Sequence, residues 1–247
     1  MRIALFSDLH ANREALAACL AHAAQRGYDR LAFLGDLVGY GADPGWVVDQ
    51  VMDHANKGAW VVQGNHDLAA VQAGSLTMAA DANRAAQWTS GQLSEVQRRF
   101  LSGLPLRLEH DDCLFVHANA WAPGDWGYIH GDKEAAHSLQ ATPLRYTLCG
   151  HMHPQALYHL AGSQRASSHT PTAGVAIPLS RMRRWLAVVG SVGQPRDGNP
   201  AACYAEFDLA QSEITFLRVP YDHDSAARKI RQAGLPARLA DRLASGT

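Results

Sequence analysis

The sequence of 247 residues lacks any apolar run that approaches the roughly eighteen residues needed to cross a bilayer, so we expect no membrane partner. The N-terminus, MRIALFSDLH, reaches Asp8 after only five uncharged residues beyond Arg2. Because this run is too short for the core of a signal peptide, we expect a cytoplasmic protein. The formal net charge is only −1, which argues against duplex nucleic acid as a partner.

Cysteine is also scarce, and its positions exclude two kinds of site. The four cysteines form no CxxC pair, which excludes a zinc ribbon and a thioredoxin-like motif. Each lies among apolar residues, and we interpret all four as buried, reduced thiols. No repeat or convincing linker divides the chain, so we expect one domain over 1–247.

The first 65 residues contain an alternation of short apolar runs with helical patterns. Strands are predicted at 2–7, 31–34 and 59–62, and helices between them at 12–26 and 44–55. Such alternation predicts an α/β fold with a parallel sheet.

The remainder predicts further helices and a second sheet. Residues 66–103 show a helical pattern with breaks near Gly74 and Gly91, 106–117 a strand pair, and 162–180 a loop. The other predicted elements are a helix at 132–140, strands at 146–149, 155–161, 185–189, 202–208 and 213–219, and two short helices within 222–243. We expect the strands after residue 154 to form a second, mostly antiparallel sheet.

Polar residues of the kinds that bind metals follow five predicted strands, at the point where each strand ends. In chain order they are Asp8 and His10, then Asp36, then Asn65, His66 and Asp67, then His117, then His151 and His153. In open α/β sheets ligands bind outside the carboxyl ends of the strands, so these side chains are expected to meet at one edge. Each motif alone has an ordinary structural explanation, such as a helix cap or a core histidine. Their repetition at five strand ends favours a metal site.

The mixture of ligand types indicates the kind of metal. Carboxylates, one amide oxygen and imidazoles suit Mn, Fe, Zn, Ni or Co and are poor ligands for Ca²⁺. The set is too large for one ion with an open position. It suffices for two divalent metal ions bridged by one carboxylate, which together could activate water at a phosphoester.

The motifs DLH, GD, GNHD, a single H and GHMH, in this order from Asp8 to His153, resemble the signature of the calcineurin-like metallophosphoesterase superfamily. The resemblance implies an α/β fold, a two-sheet mixed β-sandwich flanked by helices in four α/β/β/α layers. The stretches 8–12, 35–44, 188–200 and 219–243 resemble a bacterial subgroup described as diadenosine-tetraphosphatase-like or phosphodiesterase-like. Segment 162–185 has the least counterpart in that subgroup.

The resemblance also implies a role for each site residue. The first metal would be bound by Asp8, His10 and His153, the second by Asn65, His117 and His151, with Asp36 as the bridge. His66 would be the catalytic histidine that protonates the leaving oxygen or stabilises its charge. Asp67 would hold the His66 imidazole in orientation, although it could equally cap the following helix.

Residues beyond the metal motifs are candidates for substrate contacts. Arg196, in a glycine-rich loop, is predicted to bind a phosphate, and the alternative is a solvated or ion-paired side chain. Asn12 could reach a phosphate or cap the helix that starts there. The aromatic cluster Trp121, Trp126 and Tyr128 could stack on a base or phenyl leaving group, or pack over the site.

The predicted function is a dinuclear-metal-dependent phosphoesterase that hydrolyses small phosphodiesters or phosphoanhydrides, such as dinucleoside polyphosphates, by attack of a metal-bridging hydroxide. One alternative is a nuclease or cyclic-nucleotide phosphodiesterase on the same metal core, and another is a non-catalytic scaffold that binds a partner protein. A protein phosphatase is a further, less favoured alternative. Protein phosphatases of the superfamily carry GDxVDRG, and the arginine of this motif is absent from 35–41.

Overall fold

The computed structural model describes residues 1–75, 78–160, 162 and 164–247, which form two six-stranded sheets and eight α-helices. The helices are α1 (Arg13–Arg26), α2 (Pro44–Asn56), α3 (Asn65–Val71), α4 (Ala80–Gln92), α5 (Glu95–Ser102), α6 (Asp132–Gln140), α7 (His223–Gln232) and α8 (Ala237–Ser245). The strands are β1 (Arg2–Phe6), β2 (Arg30–Phe33), β3 (Trp60–Val61), β4 (Arg107–His110), β5 (Cys113–Val116), β6 (Tyr146–Cys149), β7 (Ala156–Leu160), β8 (Ala166–His169), β9 (Ala176–Pro178), β10 (Arg184–Val188), β11 (Ala202–Asp208) and β12 (Glu213–Val219). None of the described helices is long and apolar enough to cross a membrane.

Both sheets are mixed. The first has the order β3-β2-β1-β11-β12-β9, and the second has the order β4-β5-β6-β10-β7-β8. Neighbours are parallel within β3-β2-β1 and within β5-β6-β10, and the other neighbours are antiparallel. The predicted two-sheet mixed sandwich with flanking helices is thereby confirmed.

The alternation of side chains along β1 explains how the layers are held together. Ile3 and Leu5 point into the core between the two sheets, whereas Ala4 and Phe6 point into the core between the first sheet and its helices. Successive residues of a strand face opposite sides, so a strand covered on both faces is apolar throughout. This explains why β1 was recognisable as a buried strand without an alternating pattern.

Two sequence-based predictions of the fold need correction. The region 162–180, predicted to be a loop, contains β8 and β9, whose mostly exposed residues carry no hydrophobic pattern. The strands after residue 154 do not form one sheet, because β7 and β10 join the second sheet while β11 and β12 join the first. The predicted helical pattern of 66–103 is confirmed, because α3, α4 and α5 are separated near Gly74 and just after Gln92, next to Gly91. Residues 76 and 77 of that region, and residues 161 and 163, lie outside the described residues.

The loops that follow the parallel strands are joined by backbone hydrogen bonds. Asp8 N donates to Gly35 O (3.0 Å), and Gly150 N donates to His117 O (2.9 Å). Val192 N donates to Ser7 O (3.0 Å), which connects the loop after β10 to the end of β1. The carboxyl ends of the parallel strands of both sheets therefore meet at one edge of the sandwich.

We predict that Phe207→Ala lowers the free energy of unfolding by about 3–5 kcal/mol, because it leaves a cavity between the sheets. Phe207 is fully buried on β11, and its ring lies 4.9 Å from that of Tyr146 on β6. Urea denaturation would measure the loss, and Phe207→Leu should cost less because it keeps more volume. Equal stability of the Ala variant and the unaltered protein would contradict this account of the core.

Candidate metal centre

The first cluster of candidate ligands combines one carboxylate with two imidazoles. His153 Nε2 lies 3.4 Å from Asp8 Oδ1, and His10 Nε2 lies 3.1 Å from His153 Nε2. His10 Nε2 is also 3.8 Å from Asp8 Oδ1. All three side chains are almost fully buried, at 0–3% exposure. The structure thus brings the three residues predicted for the first metal to one point.

The second cluster lies at the ends of β5 and β6. His117 Nε2 lies 3.1 Å from His151 Nδ1 and 3.2 Å from Asn65 Oδ1. Asn65 is the first residue of α3 and is partly exposed, whereas both histidines are buried. The residues predicted for the second metal therefore also come together.

Asp36 lies between the two clusters. Its Oδ2 is 3.3 Å from His117 Nε2 and 3.9 Å from His10 Nε2. Its Oδ1 accepts a hydrogen bond from His66 N at 2.8 Å. One oxygen therefore faces a histidine of each cluster, which is the position expected of a bridging ligand.

The spacing of these atoms fits divalent ions. Two ligand nitrogens about 2.1 Å from one ion, at an angle of about 90–110°, lie about 3.0–3.4 Å apart. The closest pairs of ligand atoms in both clusters fall in this range. Asp8 Oδ1 is buried and has no hydrogen-bond partner among the described residues, so it is free to bind an ion.

The tautomer of each candidate histidine ligand is fixed by a backbone carbonyl oxygen. The pairs are His10 Nδ1 with Val38 O (3.3 Å), His117 Nδ1 with Leu34 O (2.7 Å), His153 Nδ1 with Gln194 O (2.5 Å) and His151 Nε2 with Trp126 O (3.0 Å). Because a carbonyl oxygen only accepts, these nitrogens carry the ring protons. The other nitrogen of each ring therefore points into its cluster, and in the neutral ring it carries the lone pair that metal ligation requires.

Burial dominates the electrostatics of the site. It raises the pKa of Asp8 to about 6, and it lowers the pKa of His66 to about 4 and that of His151 to about 3. Burial, the largest single effect, would also raise the pKa of Asp36, but the nearby histidines, with His117 first among them, together outweigh it and hold that pKa well below its usual range. Burial would lower the pKa of His117, which Asp36 instead raises to about 9. Asp36 and His117 thus form a charged pair that a divalent cation can replace.

The loops that carry the ligands have an unusual backbone. Five of the seven candidate ligands adopt positive φ values, namely Asp8 (53°), His10 (48°), Asp36 (52°), His151 (66°) and His153 (73°). This left-handed region is uncommon for residues other than glycine and costs of the order of 1–3 kcal/mol at each position. Such strain persists where the surrounding structure demands it, and here it turns the side chains back towards the sheet edge.

Gly64 and Gly150 are required because other chain segments pass close to them. A Cβ at Gly64 would overlap Asp36, and a Cβ at Gly150 would overlap the side chains of Ser7 and Asp8. Gly64 has φ of −106°, which any residue can adopt. It therefore makes room for the bridging carboxylate and does not provide a special turn.

No hydrogen bond joins the side chains of Asp67 and His66 in the described part of the chain, which favours the alternative that Asp67 caps the following helix. Asp67 Oδ1 accepts from Leu37 N (2.8 Å) and Val38 N (3.2 Å), and its Oδ2 accepts from Gly64 N (2.9 Å). Three backbone donors therefore occupy the carboxylate, as in a capping box that also reaches a neighbouring loop. Asp67 holds the loop after Asp36 against the start of α3.

His66 lies beside both clusters without a side-chain partner. Its Nδ1 is buried and has no hydrogen-bond partner among the described residues. Its ring lies 5.0 Å from that of His10 and 4.4 Å from that of Tyr40. The imidazole is thus positioned by packing, with a ring nitrogen left for another group.

The two predicted substrate contacts differ in their surroundings. Asn12 Oδ1 accepts from Ala15 N (3.1 Å) and caps α1, while its Nδ2 donates to Gly193 O (2.8 Å) and Tyr221 Oη (3.2 Å). These bonds favour the capping alternative, and a substrate contact of Asn12 stays a prediction. Arg196 lies with its guanidinium carbon 5.5 Å from the ring centre of Tyr40, next to the first cluster.

Aromatic residues contribute more than the sequence indicated. Tyr40, which was not singled out, packs against the rings of His10 (4.5 Å) and His66 (4.4 Å). The ring of Tyr128 stacks on that of His151 at 4.2 Å. Trp121 instead stacks on His137 at 4.7 Å and packs away from the metal ligands. The position of Tyr40, four residues after Asp36, was the available signal.

Comparisons with known proteins agree with this geometry. Residues 1–212 match the calcineurin-like phosphoesterase superfamily domain. The chain belongs to this superfamily. It is therefore a metal-dependent phosphoester hydrolase, as the sequence predicted.

Three similar proteins match this metallophosphoesterase over almost the whole chain. An uncharacterized protein of Methanocaldococcus jannaschii is 33% identical over 99% of this chain and 98% of its own. The crystal structure of a metallophosphoesterase from Sphaerobacter thermophilus is 35% identical, with a TM-score of 0.88 over 100% of this chain and 99% of that one. A hypothetical protein from Pyrococcus horikoshii shares the fold, with 18% identity and a TM-score of 0.78 over 100% of this chain and 98% of its own.

We predict that Asp67→Ala destabilises the metallophosphoesterase by about 1–3 kcal/mol for each backbone donor left unpaired. Asp67→Asn keeps one acceptor oxygen and should cost less. Thermal unfolding measures stability, and metal content per chain reports whether the loop still holds Asp36. Unchanged stability of Asp67→Ala together with lost turnover would restore the role of orienting His66.

Proposed function

We propose that this metallophosphoesterase binds two divalent ions and hydrolyses small phosphodiesters or phosphoanhydrides. The observation that carries the proposal is the position of Asp36 Oδ2, which lies within 4 Å of a histidine nitrogen of each cluster. A single ion would use one cluster and leave the other set of buried donors unpaired, which is costly. Two ions that share Asp36 would satisfy both.

The residues divide into ligands and groups that face the substrate. The proposed ligands of the first ion are Asp8, His10 and His153, those of the second are Asn65, His117 and His151, and Asp36 is shared. When bound, the two ions supply Lewis-acid activation of water and neutralise charge on the phosphoryl oxygens. The protein contributes fixed tautomers and rigid loops, which hold the donors ready.

His66 is proposed to assist the leaving oxygen. It adjoins the ligand Asn65 in the chain, and its backbone N–H donates to Asp36, so its position follows that of the bridging residue. It also lines the cavity described below. An imidazole there can hydrogen-bond to the oxygen that departs from phosphorus.

A cavity of about 330 Å³ adjoins the second cluster and is suited to the leaving group. Its lining includes the ligands Asn65 and His151, and the side chains of His66, Trp126 and Tyr128. The volume is at the lower end of the range for small-molecule sites, about 300–1,000 Å³. Aromatic walls suit a planar group such as a base or a phenyl ring. These features favour a small phosphorylated substrate, and the net charge of −1 does not favour a nucleic acid.

Asp36→Asn tests the shared ligand directly. Mutation of a residue that only hydrogen-bonds to a metal ligand typically lowers metal affinity or activity about 10–100-fold. Loss of the shared ligand itself should therefore reduce turnover of bis(p-nitrophenyl) phosphate by more than about a hundredfold. Bound metal should fall from two ions per chain towards one. The measurements are initial rates and metal content, with Mn²⁺, Fe²⁺, Ni²⁺, Co²⁺ and Zn²⁺ compared.

Asp111→Asn is the matched control, since Asp111 lies exposed in the turn between β4 and β5 and the substitution is chemically the same. Its activity and metal content should equal those of the unaltered protein. One ion per chain with full activity would overturn the dinuclear proposal. A panel of diadenosine tetraphosphate, cyclic AMP and single-stranded DNA would then rank the substrate classes.

His66→Gln should separate catalysis from metal binding. Removal of a general acid or base typically costs about 10²–10⁴-fold in rate, and we expect a loss of this size with both ions retained. Rates on aryl phosphodiesters whose leaving groups differ in pKa provide a further check, because poor leaving groups should suffer most. A uniform loss across the series, or a loss of metal, would assign His66 to a structural role.

A further inference from the structure

Helix α8 approaches the metal centre from outside the sandwich. Gly198 N donates to Gly246 O at 2.8 Å, which ties the loop that carries Arg196 to the end of this helix. Leu239 and Leu243 of α8 belong to a buried cluster against which Tyr40 packs. Leu243 lines a small cleft with His10, Tyr40 and Gln194. The buried face of α8 is therefore seated beside the first cluster of ligands.

Two arginines flank that face of α8. Arg238 and Arg242 are four residues apart, so they are neighbours on the helix surface, and each precedes one of the buried leucines. The pKa of Arg242 is lowered, mainly by burial and then by the positive charges of Arg196 and Arg238. Arg196 lies over the ring of Tyr40, which packs against the cluster that contains those two leucines, so both other charges act on Arg242 from around one side chain. We call Arg196, Arg238 and Arg242 the arginine rim.

The arginine rim has little compensation from carboxylates. Within the described part of the chain, none of its three members forms a direct ion pair, whereas Arg231 pairs with Asp241 at 2.8 Å. Asp81 is the acidic group that acts on Arg242, and it does so more weakly than burial or the neighbouring arginines. Like charges four residues apart disfavour a helix slightly. An anion bound between the guanidiniums would remove this repulsion.

The rim also adjoins the centre. Arg196 lies over the ring of Tyr40, whose other contacts are the rings of His10 and His66. Arg196 Nη2 also donates to Gln194 Oε1 at 2.8 Å, and the backbone oxygen of Gln194 accepts from Nδ1 of His153 in the first cluster. An anionic group held on the rim would thus lie next to a phosphoryl group at the metals.

We propose that Arg196, Arg238 and Arg242 form a second anion subsite that binds a phosphate of the substrate other than the one that is attacked. This rests on the proposed function and narrows it to substrates with two or more phosphates, which favours phosphoanhydrides over simple phosphodiesters. The second phosphate accepts charge-assisted hydrogen bonds from the guanidiniums, and the attacked phosphate remains at the metals. Sequence reasoning identified Arg196 but not its two partners, because they lie more than forty residues further along the chain.

The test is the affinity for diadenosine tetraphosphate, measured by calorimetry at fixed free Mn²⁺ in a His66→Gln background to slow turnover. The double substitution Arg238→Gln and Arg242→Gln should raise the dissociation constant about tenfold or more, since charge-assisted hydrogen bonds are lost. The corresponding double Lys substitution keeps the charges and should recover part of the affinity. Thermal unfolding of each variant checks that the fold is retained.

Arg183→Gln is the matched control for the type of substitution. It removes one guanidinium just before β10, at the end of that strand that lies opposite the metal centre. It should leave the affinity unchanged. Equal affinity of the double Gln variant, equal weakening by Arg183→Gln, or no binding to the background protein would overturn the subsite. Turnover of bis(p-nitrophenyl) phosphate by the unaltered protein tests the proposed function separately. If this turnover is absent, the proposed function fails, and the binding measurement still decides the subsite.

Discussion

The contact between Asp36 Oδ2 and His117 Nε2, at 3.3 Å, joins the carboxyl ends of the two sheets, and the other site residues are arranged about it. Asp36 follows β2 of the first sheet, and His117 follows β5 of the second. A carboxylate this deeply buried is stable only if it is paired, and here it has an imidazole and a backbone N–H as partners. The two sheets must therefore pack with these ends together, and the same packing positions the remaining ligands.

The convergence of the candidate ligands could be predicted from the sequence because each of them is local to the end of a strand. Asp8, Asp36 and His117 needed only a recognisable strand and the rule that such ends share one edge. The role of Asp67 could not be predicted in the same way. Its partners Leu37 and Val38 lie about thirty residues earlier in the chain, and contacts of that kind follow from packing rather than from local pattern.

The sheet order was the least predictable part of the fold, for a related reason. Strands β1 and β11 are almost entirely buried, so neither has a polar face that would indicate its neighbours. Strands buried on both faces read as continuous apolar runs, so their sequences do not show that β1 pairs with β11. Strand β8, with the sequence ASSH, was not predicted for the opposite reason, since its exposed polar residues resemble those of a loop. Periodicity identifies strands that alternate in burial, such as β4, whereas β1 and β11 are buried on both faces and β8 is mostly exposed.

The candidate metal ligands and the helix of the proposed anion subsite lie in different parts of the chain. The superfamily domain match ends at residue 212, and all seven candidate ligands lie before it. Helices α7 and α8 lie after it, yet they pack against Tyr40, which contacts His10 and His66. A change in α8 can therefore alter the charge beside the centre without disturbing a ligand. In the proposed function, the strained loops of the sandwich hold the candidate metal ligands, and the arginines of α8 contribute to the choice among phosphorylated substrates.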